Sequence, residues 1–578
     1  PTPTPVPKIA VLKDVVLVDN TDGTFTANYT VKAENIGNRD LFNVQLYDDL
    51  SNIGNHNATA TVVGDLALGE YYITTPAAVD IGGLTANTSF NGASDKELLV
   101  LNTSDTLLIN QEATITFGIT LRYDSEASFT YLNQAIGWGY LTDDTGNNTP
   151  VDPTNPTDTD TFDLSNNDVY FDPNDPNDKE PNDDNDPTPL DIAVIETTNT
   201  ILSGPIDNAD GTYTVVYRLV TTNKGQVDLF DVQVTDDLAA VDFGTYNGTA
   251  TVNGDLSTDE YYLSSVVTQS ITNTSGNSAL TLNTGYTGTG PNDGLLQVTN
   301  NSSQKLAPGD LVTHDITITF KPDFGNLTEM AYDNISVATG DKETNGVVDI
   351  DVTDTAGNSF NNIGGGTPTP TPVPKIGVLK DVALTNNNDG TYTADYTVQI
   401  QNIGNRPLFN VQVYDDLSNI GNHNASATVP GDLALGEYYI STAAAVNILG
   451  LMANTSFNGA SDKNLITLST TDTLIINQEA IITFSVTLRY DEAATFTYLN
   501  QAIGWGYLTD DTGNNIPADP TDPTDADTFD LSNDNVYFDP NDPNDQDPSD
   551  NNDPTPIDIL EVVLTKAVTT PLSESNGV

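Results

Sequence analysis

Two groups of carboxylates carry the most evident chemistry in the sequence. Asp143, Asp144, Asp152, Asp158, Asp160 and Asp163 crowd the stretch between YLTDD and DLSNNDVYF, and Asp172, Asp175 and Asp178 follow at a spacing of three within DPNDPNDKEPNDDNDPTP. Their counterparts recur later in the chain as Asp510 and Asp511 and as Asp539, Asp542 and Asp545. A period of three matches the turn of polyproline II and would align the second set along one edge, where like charges repel unless a cation bridges them. Oxygen-only ligands without His or Cys suit calcium rather than zinc or copper. Calcium is therefore the expected cofactor. The DxDxDG loop of EF-hands and the GGxGxDxUx nonapeptide are both missing, and the competing reading is a solvated, charge-extended linker.

Other constellations have ordinary structural readings. Asp48 and Asp49, matched by Asp236 and Asp237 and by Asp415 and Asp416, end a strand in each module, where capping a turn outweighs a metal role. Of Tyr71 and Tyr72, repeated as Tyr261 with Tyr262 and Tyr438 with Tyr439, strand alternation turns one inward, so packing outweighs a sugar platform completed by Trp138. Sequons at Asn57, Asn247 and Asn424 could carry glycans. Lys13 and Lys380 fall in the first strand of their modules, where some surface-protein sandwiches form Lys–Asn isopeptide crosslinks. The sequence identifies no acid and Asn partner for them, and the middle module has no lysine in its first strand. The three His are His56, His423 and His314, and GxSxG, HExxH, a P-loop and GxGxxG in a strand-to-helix setting are all missing, so no enzyme is expected.

The elements that must position these residues follow from composition and pattern. The 578 residues hold 18 Lys+Arg against 82 Asp+Glu, a net charge of −64 that disfavours nucleic acid and anionic membrane surfaces as partners. Only 15 of the acids are Glu, which points away from a helical surface and towards turns and loops. The apolar fraction of 37% is enough for a core, and the absence of Cys removes disulfides, thiolate metal sites and cysteine nucleophiles. No run long enough to span a membrane occurs, and PTPTPVPKIAVLKD lacks the features of a signal peptide, so any export signal or anchor is expected outside this sequence.

Positions 1–189 recur without a gap at 368–556, at roughly three-quarters identity. The expected domains are 1–189, module A with an acidic C-terminal linker; 190–366, a related module B; 367–556, a second module A; and 557–578, the first strand of an incomplete further module. Period-two patterns predict half-buried antiparallel strands at Phe25, Ala27, Tyr29, Val31 and Ala33 and at Ala113, Ile115, Phe117, Ile119, Leu121 and Tyr123. Module B repeats them at Tyr213, Val215, Tyr217 and Leu219 and at Ile316, Ile318 and Phe320. The fold class is all-β, a tandem of sandwiches.

DGTYTVVYRLVTTNKGQVDLFDVQVTDDL, followed later by LAPGDLVTHDITITF, resembles the conserved-repeat domain of unknown function found in tandem on bacterial and archaeal surface proteins. The resemblance covers modules A and B and, weakly, the C-terminal stub, and it implies immunoglobulin-like sandwiches in a long, exported, repetitive protein. The A modules depart from it by a long acidic insertion before their last strand. Pro-rich stretches from Asp172 and at IGGGTPTPTPVP are expected to act as semi-rigid linkers in an extended rod. The expected function is a structural repeat segment of an extracellular filament or cell-surface stalk, calcium-stiffened at its joints, with neighbouring repeats or further copies as partners. The alternative is a surface adhesin whose modules bind a glycan or a host surface. The strand from Ile557 either begins a longer repeat array or completes a neighbouring subunit by strand addition.

Overall fold

The computed structural model describes the chain apart from residues 1–3, 102–104, 143–148, 168–185, 209, 242, 275, 277, 299–303, 325–331, 344–349, 358–365, 469–471, 510–515, 535–552 and 560–578. The first module comprises β1 (Ile9–Asp19), β2 (Thr24–Asn35), β3 (Leu41–Asp48), β4 (Asn55–His56), β5 (Glu70–Val79), β6 (Thr106–Leu107), β7 (Glu112–Arg122), β8 (Leu132–Asn133), β9 (Ala135–Tyr140), β10 (Thr161–Leu164), β11 (Asn166–Asn167) and β12 (Thr188–Pro189).

Alternation builds the central pair. Phe25, Ala27, Tyr29, Val31 and Ala33 of β2 and Ala113, Ile115, Phe117, Ile119 and Leu121 of β7 are buried, and the two strands pair antiparallel along their length. One sheet runs β11-β1-β2-β7-β5-β4 and the facing sheet β10-β9-β3-β6. The arrangement β1-β2-β7-β5 over β10-β9-β3 is the strand order of a constant-type immunoglobulin sandwich. The chain is all-β; the third module repeats both sheets of the first, and the second module also has a six- and a four-stranded sheet, but without a parallel strand beside its first strand.

β1 departs from alternation. Ile9, Ala10, Val11, Leu12 and Lys13 are all buried, because β1 lies between β2 and the parallel β11 while the backbone N–H of Val11 donates to the Asp163 carboxylate on β10 at 2.7 Å. Burial of both faces removes the period-two signal from this half of the strand.

The acidic stretch expected as a linker, 168–185, lies outside the described residues, but the residues that flank it are described. Before it, β11 pairs with β1; after it, β12 pairs with β8, Thr188 standing opposite Asn133. The described residues on both sides of 168–185 therefore belong to the first sandwich, and those on both sides of 535–552, Asn533–Asp534 and Thr555–Pro556, belong to the third. The glycine-rich stretch 358–365 likewise precedes Thr369–Pro370, which pairs within the middle module. Two-residue strands carry no periodicity, so these flanking pairings leave no pattern in the sequence.

Modules meet through shared chain. Leu190, Ile192 and Val194 enter the first core, whereas Ala193 and Ile195 enter the second. The Tyr123 hydroxyl donates across this junction to the Lys224 carbonyl at 2.6 Å, and the Tyr213 hydroxyl donates across the next to the Pro374 carbonyl at 3.1 Å. Ile557 and Ile559 pack in the third module as Leu190 and Ile192 do in the first, so residues 557–559 finish that sandwich. The strand-exchange expectation otherwise concerns 560–578, outside the described residues.

Candidate functional site

Of the twelve carboxylates expected to hold calcium, Asp158 and Asp160 are described, and both are exposed. Asp158 accepts the Val151 N–H at 3.0 Å and Asp160 the Leu141 N–H at 2.8 Å, so each ties its loop together. Asp143, Asp144, Asp172, Asp175, Asp178, Asp510, Asp511, Asp539, Asp542 and Asp545 lie outside the described residues. Among the described residues no three His, Asp or Glu side chains gather as a metal site. Asp163 is an interior group, and burial pushes its carboxyl up to about 8 despite the N–H bonds that pull it down.

The structure instead assembles three polar groups in the core. Lys13 on β1 has no solvent exposure, and its Nζ bonds the Asp48 carboxylate at the end of β3, itself wholly buried. The amine lies 4.5 Å from the centre of the Tyr29 ring and 5.6 Å from that of Phe117. Burial pulls the Lys13 pKa down, and the attraction and hydrogen bond of Asp48 partly restore it. Asn133 on β8 is 2% exposed and lies against the Tyr29 hydroxyl, whose ionised form it favours. Neither its Nδ2 nor its Oδ1 completes a hydrogen bond of normal geometry. Thr188 brings the strands together: it stands opposite Asn133 and donates its hydroxyl to the Lys13 carbonyl at 3.1 Å.

The third module repeats the arrangement with Lys380, Asp415 and Asn500, the amine 4.6 Å from the Tyr396 ring centre and Thr555 bonding the Lys380 carbonyl at 3.1 Å. Here the Asn500 amide lies against both the Asp415 carboxylate and the Tyr396 hydroxyl. Burial raises the Asp415 pKa, while Lys380 and then Asn500 oppose the rise.

Register identifies the middle module's counterparts. Ile9 pairs with Asn35 as Ile195 does with Asn223, so Asn199 takes the place of Lys13, with Asp236 and Asn334 as the other two members. Asp236 accepts the Tyr286 hydroxyl at 3.1 Å and the Asn334 Nδ2 at 3.5 Å, and burial pushes it up to about 7. An acid and an amide are kept, and the amine is missing.

Chemically, each outer module confines an amine, a carboxyl group and a carboxamide in an apolar enclosure. An unpaired buried amide costs about 1–3 kcal/mol, and a buried ion pair gains little net stability after desolvation. The set is therefore poorly explained by packing.

The lysine stands out in the sequence, whereas its companions do not. Asp49 is the turn cap, accepting the Ser51 N–H at 3.0 Å and pairing with Lys96 at 2.6 Å, whereas its neighbour Asp48 faces inward. Asn133 stands in a two-residue strand, and its available signal is the matching position of Asn334 and Asn500. Tyr71 and Trp138 are buried, and the Tyr71 hydroxyl donates to the Asn91 carbonyl at 2.8 Å, as packing requires. Asn57 braces its turn, Nδ2 donating to Glu70 at 2.8 Å while Oδ1 accepts the Thr59 N–H at 3.1 Å, and Asn247 and Asn424 do likewise.

No helix among the described residues is long and apolar enough to cross a membrane. No family model and no curated protein matches the chain. Among solved structures it is similar to the full-length major pilin SpaD from Corynebacterium diphtheriae, with 12% identity, a TM-score of 0.19 and coverage of 83% of this chain and 84% of that one. It is similar to BcpA, the major pilin subunit of Bacillus cereus, with 9% identity, a TM-score of 0.22 and coverage of 82% and 94%. A further likeness is to the CupB6 tip adhesin from Pseudomonas aeruginosa, with 10% identity, a TM-score of 0.16 and coverage of 59% and 99%. TM-scores this low carry no argument about function, so the resemblance to surface-repeat domains rests on the residues quoted for it.

Proposed function

We propose that the chain is a structural segment of an extracellular filament or cell-surface stalk, with calcium as the counter-ion of its acidic loops. The junction carries this reading: side chains of one short continuous segment, Leu190 to Ile195, enter two successive cores. Sandwiches joined in this way follow one another without a free spacer, which suits a chain that spans distance. The calcium element is supported by ligand chemistry alone. Because the described residues on either side of 168–185 pair within one sandwich, a cation held by that stretch is expected to act within that module rather than across a joint.

Small-angle scattering of the full chain is expected to give an elongated particle with the cross-section of one sandwich. A compact cluster of modules would contradict the structural reading, and saturable binding on a glycan array would favour the adhesin. Melting with calcium is expected to exceed melting with chelator. Equal melts would remove calcium and leave the structural reading standing.

A further inference from the structure

We propose that each outer module crosslinks itself, with an amide bond between Lys13 and Asn133 in the first and between Lys380 and Asn500 in the third, Asp48 and Asp415 moving the protons. The inference does not depend on the filament reading, because it concerns chemistry inside a single sandwich.

Three observations converge on it. The lysine amine is wholly buried and touches one acid, so the enclosure disfavours its charge and brings a proton acceptor into contact. The carboxamide is buried in the same enclosure, against Tyr29 in the first module and against Asp415 and Tyr396 in the third, and neither of its polar atoms completes a hydrogen bond of normal geometry. Thr188 and Thr555 tie the lysine's strand to the asparagine's partner strand in the two modules alike.

The step balances without a co-reactant. The Lys13 ammonium gives one proton to the Asp48 carboxylate, and the neutral Nζ attacks Cγ of Asn133. As the C–Nδ2 bond breaks, a second proton passes from Nζ through the Asp48 carboxyl group to the departing nitrogen. Ammonia leaves, a secondary amide joins the two side chains, and Asp48 remains protonated beside it. Loss of ammonia to solvent drives the reaction forward. Asp48 is the proton carrier rather than the electrophile, because an ionised carboxylate resists attack and would have to expel oxide. The middle module keeps Asp236 and Asn334 but carries Asn199 where the amine is needed, so it stays unlinked.

The test is the intact mass of the purified full chain under denaturing conditions, followed by tandem mass spectrometry of a digest. The expected mass is two ammonia masses below that calculated from the sequence, with linked peptides joining Lys13 to Asn133 and Lys380 to Asn500. Lys13→Met and, separately, Asp48→Ala should each restore one ammonia mass while the Lys380 link persists, which also reports that the rest of the chain has folded. The calculated mass in the wild-type chain would overturn the proposal. So would ammonia loss without linked peptides, which is succinimide formation, or a link from Lys13 to Asp48 with loss of water.

Discussion

Asp163 and Asp236 are interior carboxyl groups whose burial raises them to about 8 and about 7, against about 3.9 in an unfolded chain. Between those values the folded chain holds protons that the unfolded chain has released. The stability they confer is therefore complete below the unfolded value and lost as pH rises through the folded ones. The denaturation midpoint is expected to fall from pH 5 to pH 8, and Asp163→Asn to flatten the first module's share. A midpoint that rises over this range would contradict the assignment. Such groups were hidden in the sequence because 67 Asp offer no means of separating interior from surface. Asp48 and Asp49 show the difficulty, since adjacent identical residues at a strand end take opposite environments.

The strands that the sequence displayed clearly are those with one buried face, β2 and β7, where alternation maps directly onto burial. β1 was less legible because its first five residues are buried whatever their parity, Lys13 among them. β8, β11 and β12 are two residues each, too short to announce themselves, yet they place the residues on both sides of the acidic stretch in one sandwich and bring Asn133 towards Lys13. A bond between β1 and β8 would close a loop of roughly 120 residues, which the chain-entropy reasoning used for disulfides values at about 5 kcal/mol. Calorimetry is expected to show the middle module melting first. Asn133→Ala should lower the first module's transition towards it, and an unchanged transition would contradict a covalent closure.

Across the whole molecule, the charge of −64 favours repulsion between like chains, while each module has its own apolar core and successive modules are joined by shared chain and by polar contacts such as Tyr123 to Lys224 and Tyr213 to Pro374. Tension along the chain would enter each outer module near β1 and leave just beyond β12, which is paired to β8. A Lys13 to Asn133 bond lies directly between those points and relieves the intervening strands of load. Extension of single full-length chains by their two ends tests this most directly. The expected record has one complete release from the middle module and two releases each about 400 Å shorter than an unlinked outer sandwich would give. Three complete releases would contradict a chain whose outer sandwiches are covalently closed.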